Sequence, residues 1–323
     1  MKDPFNTFIE DSVYENTTKY YKLMFQTKRI FFDYLMNKKS TTEFKKELNK
    51  IWDNIDHTYM KQRIKELEDM IEARDLKGRQ ILNPDAEYDR LYDMTSERKF
   101  INIEGKYKNN ISNYYKGRLK TVKKEYIDDK AYLSKLVDTY EEIQAIIPYH
   151  NKDGTVRSWH NIASYSSMLY NTNLTHAGWN RTLYDSRLLN NEILYLPAHT
   201  FACPLCIEYQ GKLYSNNGTS GEINGMLYRP MEIAIEGGVG HPNCRHQWTI
   251  YWDKSQIQDD DYNSDEWYEK YQIDQKIKAL SLKRKTLKND REIYKKLENQ
   301  EEVDKVNMKL RRLNKKIKEL KNG

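Results

Sequence analysis

The sequence predicts a mainly α-helical fold in which one small α+β module lies between long N-terminal helices and a long C-terminal helix. Three observations lead to this prediction. Charged residues make up 32% of the 323 residues and the mean hydropathy is −0.95, values typical of long, solvated helices. Apolar side chains recur at three- and four-residue steps toward both ends of the chain. Glycine-rich segments and short β-prone segments occur together in the middle, where we expect the module.

The first segment, residues 1–150, is predicted as a helical arm. Its clearest pattern is "TTEFKKELNKIWDNIDHTYMKQRIKELEDMIEARDL", which predicts one long amphipathic helix with Ser40 as N-cap and Glu43 in the first turn. The apolar positions of that helix are Phe44, Leu48, Ile51, Trp52, Ile55, Met60, Ile64, Leu67 and Ile71. Pro148 and the segment "NKDGT" then end the helical pattern.

The second segment, residues 155–252, is predicted as the α+β module. It opens on a helical stretch, "WHNIASYSSMLYNTNLTHAGWNRTLYDSRLL". Three β-prone pieces follow, "EILYLPAH", "GKLYS" and "QWTIYW", and the glycine-rich segments "NNGTSGEING" and "EGGVG" separate them. Such glycines suit turns that need a positive φ.

Residues 253–266 are predicted as an acidic linker, and residues 267–323 as one long basic helix. The end of that helix has apolar residues at alternating steps of three and four, namely Val303, Val306, Leu310, Leu313, Ile317 and Leu320. This spacing is compatible with a coiled coil, formed either within the chain or between copies in a homo-oligomer.

Positive charge is concentrated in the same C-terminal region. Residues 276–321 contain 17 Lys or Arg and 7 Asp or Glu, whereas the whole chain carries a net charge of only +6. A helix of this kind can bind the phosphates of DNA without reading the base sequence. The alternative is the solvated exterior of a coiled coil, because lysine-rich helix faces are common.

All three cysteines lie within 42 residues and have histidines beside them. Cys203 and Cys206 form a C-x2-C knuckle, and His241, Cys244 and His246 follow as H-x2-C and C-x-H. Zinc prefers four sulfur or nitrogen ligands arranged as a tetrahedron, often supplied by two such pairs. These soft donors exclude calcium and magnesium. The spacing therefore predicts a zinc site.

Five candidate ligands compete for four positions. His241 would complete a second knuckle, and the spacing favours it. In a strand beginning near Cys244, His246 would instead share a face with Cys244, Trp248 and Ile250, which is typical of a packed core histidine. Four protein ligands would close the site and make the metal structural, whereas a catalytic zinc keeps one position open.

Other interpretations of the cluster stay open. The simplest is two buried thiols and a coincidental third. A zinc nuclease would need a general base, for which Glu208 and Glu236 are the nearby carboxylates. A thiol enzyme would pair Cys203 or Cys206 with a histidine base, His199 or His246.

The chain shows no targeting segment. Its first residues lack the apolar run of a signal peptide, and no stretch approaches about 18 consecutive apolar residues. We therefore expect synthesis in a cytoplasm and no insertion into a membrane. An odd number of cysteines in a reducing compartment favours metal binding or a free thiol over disulfides.

Two blocks around the cysteines resemble the tailed-phage minor capsid and head morphogenesis proteins, the Mu F-like group and its relatives. The first is "AHTFACPLCIEYQGKLYS", in which the matching residues are Tyr209, Gln210, Gly211, Lys212, Tyr214 and Ser215. The second is "GHPNCRHQWTIYW", with His241, Pro242, Cys244, Arg245 and His246. The helical stretch upstream resembles the helix that precedes the first block in that family. The resemblance covers about residues 155 to 252.

The chain departs from the family pattern at two points. Its second block ends in His246 where the family often has a cysteine, and it carries C-x2-C where one branch has arginine and histidine. The resemblance implies a low-copy, non-enzymatic virion protein that acts in head assembly. Such a protein would lie in the capsid interior or at the portal vertex, with the portal or major capsid protein as its partner. Some members of the family bind DNA or leave the head with it.

Overall fold

Helices account for most of the fold in the computed structural model, which describes residues 4–85, 87–88, 94–121, 130–140, 145–150, 154–199, 202–257 and 264–322. The α-helices are α1 Pro4–Met36, α2 Thr41–Trp52, α3 Thr58–Asp75, α4 Met94–Thr121, α5 Lys130–Tyr140, α6 Ile162–Leu188, α7 Met231–Glu236, α8 Ser264–Lys296 and α9 Gln300–Asn322. The strands are β1 Ala145–His150, β2 Val156–Asn161, β3 Ile193–Leu196, β4 Lys212–Ser215, β5 Gly221–Ile223, β6 Met226–Pro230 and β7 Thr249–Ile250. None of the helices described is both long and apolar enough to cross a bilayer.

The chain folds into two compact units, each built from three separate segments. The module unit comprises Met1–Asn16, Asp56–Glu97 and Ser167–Gln272, and the helix-rich unit comprises Thr17–Ile55, Arg98–Ser166 and Ile273–Gly323. The four segments predicted from the sequence were defined by composition, whereas these two units are defined by packing. The division into four segments stays a prediction. Of the expected acidic linker, residues 258–263 lie outside the described residues. The described part contains a short 3-10 helix, Lys254–Gln256.

The long helix predicted over residues 41–76 is two helices in the structure. The predicted N-terminus is confirmed, because Ser40 and Glu43 form a capping box at the start of α2. Helix α2 ends at Trp52, and α3 begins only at Thr58. Between them Asp56 accepts hydrogen bonds from the backbone N–H and hydroxyl of Thr58, a local bond that competes with helix continuation.

A five-stranded mixed sheet, ordered β5-β6-β4-β3-β7, lies in the module unit. Strands β3, β4 and β7 confirm the three β-prone segments, although β7 contains only two residues. Strands β5 and β6 were not predicted. They pair antiparallel around Asn224 and Gly225, whose φ angles of 54° and 77° suit a tight hairpin turn. Strands β1 and β2, also not predicted, form a separate antiparallel pair that starts within the expected helical arm.

The long C-terminal helix that we expected is also two helices, α8 and α9. Glu298 adopts a left-handed φ of 51°, and the N–H of Asn299 donates to the carbonyl of Tyr294 at 3.0 Å. This is a Schellman ending, which usually has glycine at the left-handed position. Asn299 then caps the N-terminus of α9, because its side chain accepts a hydrogen bond from the N–H of Glu302 at 3.3 Å.

Aromatic rings fill the core of the helix-rich unit. Phe31, Phe44 and Tyr115 are fully buried, and the rings of Phe44 and Tyr115 stack with centroids 4.0 Å apart. The buried Lys28 ammonium lies 2.8 Å from Asp290 and so connects α1 to α8. A buried charge needs such a partner to offset its desolvation.

Candidate metal centre

The first knuckle, residues 203–211, is a tight turn. The N–H of Cys206 donates to the carbonyl of Cys203 at 2.9 Å, and the N–H of Gln210 donates to the carbonyl of Cys206 at 3.2 Å. Gly211 ends the turn with a φ of 74°, and its N–H donates to Leu196 at the end of β3. The turn directs both cysteine side chains inward and attaches them to the sheet.

The second knuckle, residues 237–246, depends on left-handed backbone. Gly240 and Asn243 have φ angles of 88° and 72°, which lets the N–H of Cys244 donate to the carbonyl of His241 at 2.8 Å. A Cβ atom on Gly240 would lie 2.6 Å from the Trp179 ring. Both the backbone angle and the neighbouring ring therefore require glycine there.

The two knuckles bring all five predicted ligands together. The sulfurs of Cys206 and Cys244 lie 3.8 Å apart, and Cys244 Sγ is 3.6 Å from His246 Nδ1. Cys203 Sγ is 2.9 Å from His241 Nε2. The ligand atoms form two groups that share Cys206, and within each group every pair lies within 4.8 Å. Among the described residues, both groups consist of cysteine and histidine only.

Three of the five candidate ligands, Cys206, Cys244 and His246, are buried in the core of the module unit, whereas Cys203 and His241 are partly exposed. Cys206 and Cys244 are 1% and 3% exposed, and they pack with apolar residues that include Trp248 and Tyr214. Three sulfurs and two imidazole nitrogens in such surroundings form a soft donor set, which fits a thiophilic metal ion and not calcium or magnesium. The group could therefore hold a metal ion.

The electrostatics of the cluster favour thiolates at two positions. Hydrogen bonding to Cys206, aided by the neighbouring His241, lowers the pKa of Cys203 to about 4. Hydrogen bonding to Cys206 likewise lowers the pKa of Cys244. The same two contacts raise the pKa of Cys206. Burial would lower the pKa of His241, but the Cys203 sulfur outweighs it and raises that pKa to about 9.

The other sequence candidates do not join the two groups. Glu208 and Glu236 are exposed, and neither belongs to the clusters of ligand atoms among the described residues. The His199 ring lies beside the His246 ring, with centroids 4.1 Å apart. The strand that we expected near Cys244 begins instead at Thr249, so strand alternation does not explain the position of His246.

Helix α6 supplies contacts that the sequence analysis missed. Asn171 and Thr175 both donate to the carbonyl of Cys244, at 2.7 and 2.9 Å, and the indole N–H of Trp179 donates to the carbonyl of His246 at 2.7 Å. These donors follow one another at steps of four along one helix face. Their spacing was visible in the sequence, but nothing there indicated that they face a ligand-bearing segment.

The family model described as phage minor capsid protein 2 matches residues 36–322. The chain belongs to this family. No curated protein and no solved structure matches the chain.

Membership of the phage minor capsid protein 2 family extends the earlier resemblance from about a third of the chain to nearly all of it. It confirms the minor capsid prediction and supports a structural role in the virion. It is also consistent with a protein that is not an enzyme. The match includes both knuckles and the two C-terminal helices.

We predict that Gly237→Ala loosens the packing between the two knuckles. A Cβ atom there would lie 2.0 Å from the Tyr209 hydroxyl oxygen, and overpacking of this kind typically costs about 1–3 kcal/mol. Thermal unfolding followed by circular dichroism should show the loss, and adding Tyr209→Leu should restore part of it. Gly105→Ala in α4 is the control, because its Cβ would have no atom within 4 Å. Unchanged stability in Gly237→Ala would contradict the packing described here.

Proposed function

We propose that this protein is a structural, non-enzymatic minor component of a phage head that acts in head morphogenesis at or near the portal. The observation that carries the proposal is the family match over residues 36–322. Long helices with solvated faces suit contacts with other virion proteins, and the partner would be the portal protein, the major capsid protein or both. The protein would lie in the capsid interior or at the portal vertex.

The proposal includes a structural zinc ion in the cysteine–histidine cluster. Candidate ligands are Cys203, Cys206, His241, Cys244 and His246, and four of them would complete a closed tetrahedron. A bound ion would cross-link the two knuckles and stabilise a module whose sheet strands have only two to five residues. The ion would be coordinated by the buried sulfurs, and its role would be structural and not catalytic.

We predict that freshly purified, reduced protein contains about one zinc per chain. Cys203→Ser and Cys244→Ser should yield insoluble protein, because each removes a candidate ligand of the structural ion. Metal analysis by mass spectrometry and a solubility assay test this. Ala234→Ser, a comparably buried position in α7 outside the cluster, should stay soluble.

Metal analysis that finds no zinc would exclude the structural ion. The alternative function is a phage-delivered enzyme built on the cluster, a zinc nuclease or a thiol-based transferase, and the close Cys203–His241 pair is the observation that favours it. A soluble, folded Cys203→Ala variant that loses a measurable activity on nucleic acid or protein would support that alternative.

The portal assignment predicts a physical complex. A tagged copy of this chain should retain the portal protein of the same phage in a pull-down, and particles assembled without this chain should be defective in head assembly. The major capsid protein, tested separately, shows which of the two is bound directly. Retention of neither protein, together with normal heads in its absence, would contradict the proposed role.

A second proposed contact is between α9 and DNA. Its exposed face carries seven cations and one carboxylate between residues 309 and 321, namely Lys309, Arg311, Arg312, Lys315, Lys316, Lys318, Lys321 and Glu319. Among the described residues, only the Lys315 ammonium of this set lies within 4 Å of a carboxylate, Glu319 at 3.9 Å. Cations that are not neutralised by neighbouring acids suit a phosphate backbone.

We predict that neutralising Lys309, Arg312 and Lys316 to Gln weakens duplex DNA binding and flattens its dependence on salt. These residues lie at i, i+3 and i+7 on one side of α9. Each lost phosphate contact should reduce the slope of log affinity against log salt by about one. The control neutralises Lys39, Lys45 and Lys46, which are exposed near α2. Equal effects of the two triple variants would show that net charge, and not α9, determines binding.

A further inference from the structure

The ligand segment, residues 244–248, is held along α6 by side-chain donors. Asn171 and Thr175 bond the carbonyl of Cys244, Trp179 bonds that of His246, and Thr182 bonds that of Trp248 at 3.2 Å. Alternate carbonyls are thus fixed from one helix face. The backbone on both sides of His246 is held in this way. The backbone position from which the His246 side chain extends into the cluster is therefore fixed.

Gln210 fixes the orientation and tautomer of that ring. The backbone N–H of His199 can only donate, and it lies 3.2 Å from the Gln210 side-chain oxygen, which identifies that atom as the acceptor. His246 Nε2 lies 3.0 Å from the same oxygen and must therefore carry the proton that it donates. The lone pair is then on Nδ1, the atom that faces Cys244 Sγ.

Distances within the cluster distinguish the two histidines. Two sulfurs on one tetrahedral zinc lie about 3.8 Å apart, and a sulfur and a nitrogen lie about 3.6 Å apart. The Cys206–Cys244 and Cys244–His246 separations, 3.8 and 3.6 Å, equal these edges. The Cys203–His241 separation of 2.9 Å is shorter than such an edge and is a hydrogen-bond distance.

We propose that His246 is the fourth metal ligand, through Nδ1, and that Gln210 is the residue that positions it. Cys206 and Cys244 belong to the same group of ligand atoms as His246, and Cys203, which belongs to the other group, would move toward them on metal binding to supply the third sulfur. His241, whose Nδ1 donates to the carbonyl of Pro242, acts as a hydrogen-bond partner of Cys203. The inference rests on the proposed metal site and reverses the preference for His241 that the spacing alone suggested.

The direct test needs no substitution. Full-length protein labelled with 15N-histidine and loaded with Zn²⁺ is examined by long-range 1H–15N correlation, which reports the state of each ring nitrogen. The expected spectrum has His246 metal-bound at Nδ1 and protonated at Nε2. A spectrum in which His241 Nε2 is metal-bound instead would overturn the proposal.

Variants give a second, independent test by chelator competition for Zn²⁺, with circular dichroism as the check of folding. Gln210→Leu should weaken zinc binding roughly 10- to 100-fold, as expected for loss of a ligand's outer partner. Gln210→Glu keeps the acceptor and should recover most of the affinity. His246→Ala should lose more affinity than His241→Ala.

Gln247→Leu is the matched control, because this equally buried amide donates to the carbonyl of Thr175 and, among the described residues, bonds none of the candidate ligand side chains. Equal losses in Gln210→Leu and Gln247→Leu would mean general destabilisation and would overturn the positioning role. If the wild-type protein binds no Zn²⁺, the proposed metal site itself fails. If it binds Zn²⁺ but the order of the histidine variants is reversed, only this inference fails.

Discussion

The module unit depends on the approach of Cys206 and Cys244, which are 38 residues apart in the sequence but have sulfurs 3.8 Å apart. The segment between them contains β4, β5, β6 and α7, so this one contact closes a loop around most of the sheet. Closing a long loop costs chain entropy that short strands offset poorly. A metal cross-link at that point would let the free energy of metal binding offset this entropy cost. Small modules with little core are commonly stabilised in this way.

The second requirement is a rigid support for the ligand segment, and α6 supplies it in place of a sheet. Strand β7 has two residues, both of which pair with β3, and the ladder does not extend back to Cys244. Side chains of α6 instead bond the carbonyls of Cys244, His246 and Trp248. Buried carbonyls must find donors, and a helix face with amides and hydroxyls at steps of three and four can provide them. These polar side chains of α6 thus hold the ligand segment against the helix.

The sequence predicted whatever depends on local pattern. Apolar periodicity indicated most of the helices, the capping box at Ser40 marked a true helix start, and cysteine spacing identified residues that the fold brings together. The β5–β6 hairpin was missed although its turn carries a local signal, Asn224-Gly225. Other missed features depend on distant partners or on left-handed backbone without glycine. Glu298 adopts a left-handed φ at the end of α8, a position where a glycine would have indicated the helix end in the sequence. The side-chain oxygen of Gln210 contacts His199 and His246, which lie 11 and 36 residues away in the sequence.

The C-terminal sequence combines apolar periodicity with positive charge. In the fold, the apolar side chains of α9 are mostly buried and its cations are exposed. Five of the six heptad positions of α9 are buried within the chain, and only Leu320 is partly exposed. The apolar seam is therefore already used inside one chain, and pairing with a second copy through it would require its release. The surface that α9 presents to other molecules is the cationic one. Contacts through it would be electrostatic and would weaken with salt, unlike contacts through a coiled-coil seam.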